Sequence, residues 1–471
     1  MSSETVRQLD SIFRARSIAV IGASNTSPKW GYRMVHRPAR TGYRGAIYPV
    51  NPREQEVDGL RAYGSIADIP GDIDLAVFAI PAAAVPRAMT ECVARGVKGA
   101  VLITAGFAET GEAGRVLQDE VVRIARAGGI RFVGPNGMGI WSSANRLNLS
   151  FDEPPAEGRI AFVSQSGTFG GLLAQIATAK GYGLSKFMSI GNQADLKAAD
   201  YLEYLAEDED TQAIVFYMEG FQDGRRFFEV AREVVRRKPV VIYKAGRSEA
   251  AARATISHTS SLIGSDEVFE ALCKQAGLIR AYEAAQPFDM AEALVSQPLP
   301  RGGRVAIIGS GGQGVVTSDA CGCLGLEVPE FDGETKARLK MALPPHAPVP
   351  SNPVDFAAAA RTALDEARVA EAIARIDYID GIITNAPSYR SGRGAEGDMA
   401  REAIEGAELL ASIPRKYGKP VVTLRWRHDG GDMLRDILKG GGIPCYDTPE
   451  QCARAMYALA RYARIRRELG S

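Results

Sequence analysis

The sequence predicts an α/β protein of three doubly wound domains, at residues 1–150, 151–297 and 298–471. At 471 residues the chain is about three times the usual domain length of ~150 residues. Short apolar, β-branched runs alternate with longer helical patterns, which is typical of parallel sheets covered by helices. Stretches rich in proline and glycine, Glu153–Gly158 and Gln297–Gly303, indicate the two boundaries.

Ten of the apolar runs are predicted strands. They are 17–22, 46–50, 75–80 and 99–104 in the first domain, 160–163, 213–217 and 239–243 in the second, and 305–309, 381–384 and 420–423 in the third. Helical patterns separate them, as at 84–95 and 114–127. Residues 331–350 and 388–398 are predicted to be exposed loops.

The composition argues against several classes of protein. Lys+Arg and Asp+Glu both number 56, so no net field attracts nucleic acid or anionic lipid. No apolar run reaches the ~20 residues of a membrane span, and the polar N-terminus lacks a signal-peptide core. The six cysteines are scattered, and the close pair Cys321 and Cys323 lacks the further ligands of a zinc site. We therefore expect a reduced, cytoplasmic protein without metal, nucleic-acid partner or membrane partner.

The loop that follows the first predicted strand, Gly22–Gly31, indicates a nucleotide-like ligand. A glycine-bearing turn at this place binds phosphates through backbone N–H groups and the helix N-terminus. The loop departs from G-x-G-x-x-G, and the second strand ends at Tyr48–Pro52 without an acid for a ribose, which argues against NAD. The alternative is an ordinary strand–helix turn. Two later strand ends, Ile80–Ala83 and Thr104–Phe107, are small-residue turns that would let a ligand approach the backbone.

The second domain contains a candidate anion site at Ser164–Thr168, where a strand runs into a helix. Hydroxyls, free N–H groups and the helix N-terminus all favour an anion there. In one alternative, Ser166 or Thr168 only caps the helix. In another, Ser166 is the nucleophile of a serine hydrolase, although that motif requires glycine at position 164. Glu219 ends the next strand on the ligand edge of the sheet, unless it is only a solvated acid.

His258 is one of four histidines and stands in a loop of small hydroxyl residues and glycine, Ser257–Asp266. A neutral imidazole can attack a phosphoryl group and carry it. We interpret His258 as a phosphate carrier, and the alternative is a histidine of a surface loop.

The turns of the first domain, together with Ser257–Gly277, closely resemble the α subunit of NDP-forming (ADP-forming) acyl-CoA synthetases, in the succinyl-CoA synthetase superfamily. The resemblance spans roughly residues 8–465. It implies an N-terminal Rossmann-like CoA-binding domain, a flavodoxin-like domain with the phosphohistidine loop, and a second flavodoxin-like domain with a structural role. The implied enzyme is an acid–thiol ligase that interconverts carboxylic acid, CoA and ATP with acyl-CoA, ADP and phosphate through acyl phosphate and phosphohistidine.

The resemblance also implies roles for individual residues. His258 would carry phosphate, Glu219 would hydrogen-bond its ring, and Ser166, Gly167 and Thr168 would hold the phosphate. The implied contacts to CoA are Gly22, Ser24, Lys29, Val50, Asn51, Pro52, Ile80, Pro81, Thr104, Ala105, Gly106 and Asn136. This chain departs from the family at Gly137, where cysteine is usual, and at Ser260, where glycine is usual.

The sequence contains no P-loop and no room for an ATP-grasp module beside the three domains. The resemblance therefore implies a separate ATP-grasp β subunit that binds ATP or ADP and Mg, in an α2β2-type heteromer. Two alternatives stay open: a non-catalytic CoA-binding regulatory protein, and a serine hydrolase that uses Ser166. The acid substrate cannot be read from the sequence.

Overall fold

The computed structural model describes residues 4–248, 250–251, 265–309, 311–343, 347–356, 362–388, 396–425 and 432–470. The chain divides into two compact units, Met1–Pro287 and Phe288–Ser471. The first unit contains a five-stranded and a seven-stranded sheet, and the second contains a five-stranded sheet. The predicted fold class, α/β with doubly wound parallel sheets, is confirmed. In the described part of the chain, no helix has both the length and the apolar character needed to cross a membrane.

The first sheet is parallel throughout, in the order β2-β1-β5-β6-β7. Its strands and the small β3–β4 hairpin are β1 (Ser17–Ile21), β2 (Ala46–Val50), β3 (Glu56–Val57), β4 (Leu60–Arg61), β5 (Leu75–Phe78), β6 (Gly99–Leu102) and β7 (Arg131–Val133). The helices around it are Glu4–Phe13, Trp30–Thr41, Val85–Ala94 and Glu112–Ala127. All residues of β1 and β5 are buried, as expected for strands covered by helices on both faces.

The second sheet has the order β14-β13-β12-β10-β11-β8-β9. Its strands are β8 (Ile140–Ser142), β9 (Leu147–Asn148), β10 (Glu157–Ser164), β11 (Leu184–Ser189), β12 (Ala213–Met218), β13 (Val240–Lys244) and β14 (Ile279–Ala281). The helices that follow β10 are Gly167–Ala179, Ala198–Glu207, Gly224–Val234 and Asp266–Ala276. Strand β8 is antiparallel to β11. Because β8 and β9 precede residue 150, the predicted domain boundary does not coincide with the division between the two sheets.

The third sheet has the order β16-β15-β17-β18-β19. Its strands are β15 (Val305–Gly309), β16 (Val354–Asp355), β17 (Gly381–Asn385), β18 (Val421–Leu424) and β19 (Cys445–Tyr446). The helices from the unit boundary onward are Gln286–Ser296, Gly312–Cys323, Gly333–Ala342, Ala363–Ala374, Glu396–Tyr417, Asp432–Gly440 and Pro449–Glu468.

The loop predicted at 331–350 is wrong, because it contains the helix Gly333–Ala342. Asp332 caps this helix by accepting a hydrogen bond from the Thr335 amide at 2.8 Å. Thr335 and Leu339 are its only buried residues, so its sequence shows little of the apolar periodicity that indicates a helix. In the second predicted loop, residues 389–395 lie outside the described residues, and the next helix begins at Glu396.

The parallel strands of all three sheets have one order, in which the first strand lies between the second and the third. The helices after the first and third strands cover opposite faces, so a crevice opens at the carboxyl ends of these two strands. In the first unit, the two crevices follow β1 and β5 in one sheet and β10 and β12 in the other.

A buried carboxylate and two arginines join the two domains of the first unit. The Asp195 carboxylate is fully buried and accepts hydrogen bonds from Arg126 Nε and Arg131 Nε, both at 2.8 Å, and from the Phe132 amide at 3.0 Å. These contacts fix the turn after β11 against the first domain.

Candidate active site

The loop after β1 is packed too closely for side chains at its glycines. Gly22 has φ +90°, and a Cβ there would lie 2.6 Å from the Ala79 carbonyl oxygen. A Cβ on Gly31 would lie 1.9 Å from the Gly22 carbonyl oxygen. Lys29 occupies the N-cap position of helix Trp30–Thr41 without a capping side-chain hydrogen bond. The first N–H groups of this helix therefore have no acceptor from the N-cap side chain, which favours an anion there.

Side-chain hydrogen bonds tie the neighbouring strand ends together. Asn51 Nδ2 donates to the Ala23 carbonyl at 2.7 Å. Thr104 Oγ1 donates to the Ile80 carbonyl at 2.8 Å, and in addition the backbone N–H group of Asn136 donates to the Thr104 carbonyl at 2.9 Å. Since β1, β2, β5, β6 and β7 are parallel, all twelve predicted CoA contacts lie at one edge of the first sheet. They are Gly22, Ser24, Lys29, Val50, Asn51, Pro52, Ile80, Pro81, Thr104, Ala105, Gly106 and Asn136.

The edge of the second sheet begins with the N-terminus of helix Gly167–Ala179. Ser166 is its N-cap, with Oγ accepting from the Phe169 amide at 3.4 Å. Ser164 Oγ donates to the Ser166 carbonyl at 2.6 Å. The helix contains no charged residue, so its N-terminal partial positive charge is not opposed by a side chain of its own.

Glu219 follows β12 beside this helix start and is only 7% exposed. Gln165 Oε1 accepts from the amides of Glu219 and Gly220, at 2.9 and 3.0 Å, which fixes the backbone here. Tyr217 donates its hydroxyl to Glu219 Oε1 at 3.4 Å. Burial, and then the charge of Glu219, raises the pKa of Tyr217, so this hydroxyl remains a donor. The carboxylate is thus oriented at the end of its strand.

A cavity of about 290 Å³ lies where the two edges meet. It is lined by Trp30, Ile103, Ala105, Asn136, Gly137 and Met138 from the first part of the unit and by Gln165, Ser166, Gly167, Thr168, Gly191, Asn192 and Glu219 from the second. Ala105, Asn136, Ser166, Gly167, Thr168 and Glu219 are thereby brought together and Gly137 lines the cavity with them, whereas the remaining predicted CoA contacts do not line it. Among the described lining residues, Glu219 alone carries a charge.

His258 and its neighbours 257–264 lie outside the described residues. Within the residues that are described, no group of three or more His, Cys, Asp or Glu side chains is placed to hold a metal ion.

Sequence reasoning assigned no role to several lining residues, including Trp30, Met138, Gln165 and Asn192. The hydrogen-bond partners of Asn192, which are Glu109 and Gln118, lie far from it in the sequence. Gly137 has a structural explanation, because a Cβ there would lie 2.6 Å from the Ser189 carbonyl oxygen. A cysteine at this position would require the backbone of the turn to move.

Two domain families match the chain. Residues 16–142 match the CoA binding domain, and residues 157–294 match the Succinyl-CoA ligase like flavodoxin domain. Fold and site together therefore define a CoA-binding protein of the succinyl-CoA ligase type.

Complete relatives narrow this class. The chain is 42% identical to the α subunit of acetate–CoA ligase [ADP-forming] II from Pyrococcus furiosus, over 97% of this chain and 98% of the relative. It is 35% identical to acetate–CoA ligase [ADP-forming] II of Archaeoglobus fulgidus, over 98% of this chain but 68% of that relative. The solved structure of dinucleotide forming acetyl-coenzyme A synthetase 1 from Ca. Korarchaeum cryptofilum, in complex with phosphate and ADP, matches with a TM-score of 0.86 and 32% identity, over 98% of both chains. The chain belongs to the family of α subunits of ADP-forming acyl-CoA synthetases, which confirms the predicted family.

Proposed function

We propose that this chain carries out the acid and CoA steps of an ADP-forming acyl-CoA synthetase, with His258 as the phosphoryl carrier. The observation that carries this proposal is the shared cavity. The Ala105 and Asn136 turns of the CoA-binding domain meet the Ser166–Thr168 helix start and Glu219 of the succinyl-CoA ligase-like domain there.

The edge of the first sheet is suited to CoA because its glycine turns let a ligand approach the backbone closely. The Gly22 loop, the β2 end at Val50–Pro52 and the helix start beside Lys29 would hold the nucleotide. Ile80 and Pro81 follow along the same edge. The later turns, 104–106 and Asn136, would direct the pantetheine arm and its thiol to the cavity.

The edge of the second sheet fits phosphoryl transfer. The helix start at Ser166, Gly167 and Thr168 would bind the phosphoryl oxygens. Glu219 would accept a hydrogen bond from one ring nitrogen of His258, which fixes the tautomer and leaves the other nitrogen free to attack phosphorus.

Acyl-CoA would then form in two steps at the cavity. A carboxylate oxygen of the acid attacks the phosphorus of phospho-His258, the O–P bond forms, and the N–P bond breaks with its electron pair returning to the imidazole. The CoA sulfur next attacks the acyl carbon, the S–C bond forms, and the C–O bond to phosphate breaks. Phosphate leaves with that electron pair, and the thiol proton passes to phosphate or water. Both steps depend on positioning and charge stabilisation, and both are reversible.

ATP or ADP and Mg would bind to a separate ATP-grasp β subunit, in an α2β2-type heteromer in the cytoplasm. Two facts support a partner: the Pyrococcus furiosus relative is itself named a subunit, and the chain spans only 68% of the Archaeoglobus fulgidus relative. The part of that longer chain outside the match would correspond to the β subunit. Family membership does not favour a regulatory protein or a serine hydrolase.

The test is His258→Ala in the chain reconstituted with its cognate partner subunit. We expect acyl-CoA formation to fall by at least ~10³-fold, since the phosphoryl carrier is removed, while CoA still raises the melting temperature. His36→Asn is the control, because His36 hydrogen-bonds to Asp58 at 3.1 Å outside the cavity lining. Undiminished synthesis in the His258 variant would disprove the mechanism.

A further inference from the structure

A bridge of polar side chains crosses from one domain to the other beside the cavity. Asn192, in the turn after β11, donates its side-chain N–H group to Glu109 Oε2 at 2.6 Å and to Gln118 Oε1 at 3.1 Å. Asn136 Nδ2 donates to Asn192 Oδ1 at 3.3 Å. Asn192 thus follows a strand of the second sheet, but both the N–H and the C=O group of its side chain form hydrogen bonds with the first domain.

Glu109 connects this bridge to the turn that follows β6. Its Oε1 accepts from the Gly106 amide at 2.6 Å and from the Phe107 amide at 3.1 Å. Burial would raise the pKa of Glu109, but the hydrogen bonds from Asn192, Gly106 and Phe107 outweigh it and hold the pKa below its usual value. The charged carboxylate therefore fixes the backbone directly after Ala105, which lines the cavity.

The turn that carries Asn192 is held in an unusual conformation. Gly191 has φ +51° and Gln193 has φ +53°, a left-handed region that is unfavourable for glutamine. The backbone N–H group of Asn192 donates to the Pro135 carbonyl at 3.0 Å, and a Cβ on Gly191 would lie 2.1 Å from that same oxygen. The turn is therefore seated directly on the first domain, and Asn192 has little freedom to point elsewhere.

We infer that Asn192 and Glu109 are positioning residues that set the separation between the CoA thiol and the acyl phosphate. The inference rests on the proposed function, in which Ala105 and Asn136 border the thiol and the Ser166 helix start borders the phosphate. Thiol transfer requires reacting atoms about 3–3.5 Å apart, and a displacement of about 1 Å lowers the rate by ~10²-fold. Neither side chain belongs to the helix start at Ser166 or to the strand end at Glu219, so we expect the bridge to act on the thiol step alone.

The experiment measures the two halves of the reaction separately in Asn192→Ala and Glu109→Gln. One half is phosphorylation of the chain by radiolabelled ATP with the cognate partner subunit. The other is formation of acetyl-CoA from acetyl phosphate and CoA, with acetyl phosphate as the probe. We expect kcat of the second half to fall by ~10²-fold, with KM for CoA and the phosphorylation rate within about threefold of their original values. Glu112→Gln, at an exposed acid of the next helix, is the control.

Exchanging the carboxylate of Glu109 and the amide of Asn192 should restore the lost rate. Glu109→Gln together with Asn192→Asp reverses donor and acceptor while keeping the bridge, so most of the lost kcat should return. Glu109→Asp shortens the bridge by one methylene and should give an intermediate loss. Equal losses in both halves, a change confined to KM, or a folded exchange variant as slow as the single ones would overturn the inference. If the original chain takes no phosphate from ATP, the proposed function fails, and the acetyl phosphate assay still reports on the bridge.

Discussion

The two sheet edges of the first unit share one strand order but present different chemistry. The edge of the first sheet offers glycine turns and backbone, as at Gly22 and Gly106, whereas the edge of the second offers a helix N-terminus and the oriented carboxylate of Glu219. The common topology creates the crevice in both, and the residues placed there decide what each crevice can do. We therefore expect CoA binding and phosphoryl transfer to respond to different substitutions.

Glu219→Gln is expected to give the largest difference between the effect on phosphorylation and the effect on CoA binding. The amide cannot orient and stabilise the imidazole as a carboxylate does, so phosphorylation of the chain by ATP and the partner should slow by ~10²–10³-fold. CoA affinity, measured by calorimetry, should stay within about twofold, because Glu219 belongs to the other edge. Glu229→Gln, at an exposed acid of helix Gly224–Val234, is the matched control. A joint loss of both properties would remove the distinction between the edges.

The cavity where the two edges meet should determine which carboxylic acid the enzyme prefers. The described lining of the cavity offers no cation for a second carboxylate, while Trp30, Ile103 and Met138 offer apolar surface. Because an unpaired buried charge is costly, short monocarboxylic acids should exceed dicarboxylic acids in kcat/KM by ~10²-fold or more. Steady-state assays with acetate, butyrate and succinate give the ratio, and a preference for succinate would contradict this reading of the cavity.

Gly31→Ala in the first domain is expected to have the opposite effect to Glu219→Gln, because it should weaken CoA binding and leave phosphorylation intact. The added Cβ would meet the Gly22 carbonyl at 1.9 Å, so the loop must shift, at a cost of about 1–3 kcal/mol. The Kd for CoA should rise by about tenfold or more, with phosphorylation by ATP retained. Gly64→Ala is the control, since the nearest atom to its Cβ would be 3.5 Å away. Unchanged CoA affinity would show that the loop does not hold the nucleotide.

The smallest effect is expected for Ser166→Ala. It removes the helix cap, which costs about 1 kcal/mol, and one hydroxyl near the phosphate, which should slow phosphorylation by about tenfold. Thermal unfolding and phosphorylation assays measure the two parts. Complete inactivation of a folded variant would instead favour a nucleophilic serine.

The sequence predicts most of the fold because the strands are continuous apolar runs. β1, β5, β10 and β12 coincide with such runs, and the Gly22 turn follows β1 in the pattern of a recognised family. Strand β11 escapes prediction because the buried Lys186 interrupts its apolar residues, a position made tolerable by pairing with Asp208 at 2.6 Å and Asp210 at 3.4 Å.

The site is less accessible to prediction than the fold. The positions of Glu219 and Ser166 at strand ends follow from local pattern and topology. The supporting contacts do not: Gln165 meets Glu219 across 54 residues, and Asn192 meets Glu109 across 83. No local pattern encodes such pairs, since they exist only once the two sheets have packed together. The roles of the predicted site residues remain predictions.

The central claim is that His258 carries phosphate between the partner subunit and this cavity. The most direct measurement is to incubate the reconstituted enzyme with ATP, without acid or CoA, and to locate the phosphate by mass spectrometry under conditions that preserve phosphohistidine. We predict one acid-labile phosphate on His258, which disappears when acid and CoA are added and acyl-CoA forms. An enzyme that makes acyl-CoA while His258 never becomes phosphorylated would contradict it.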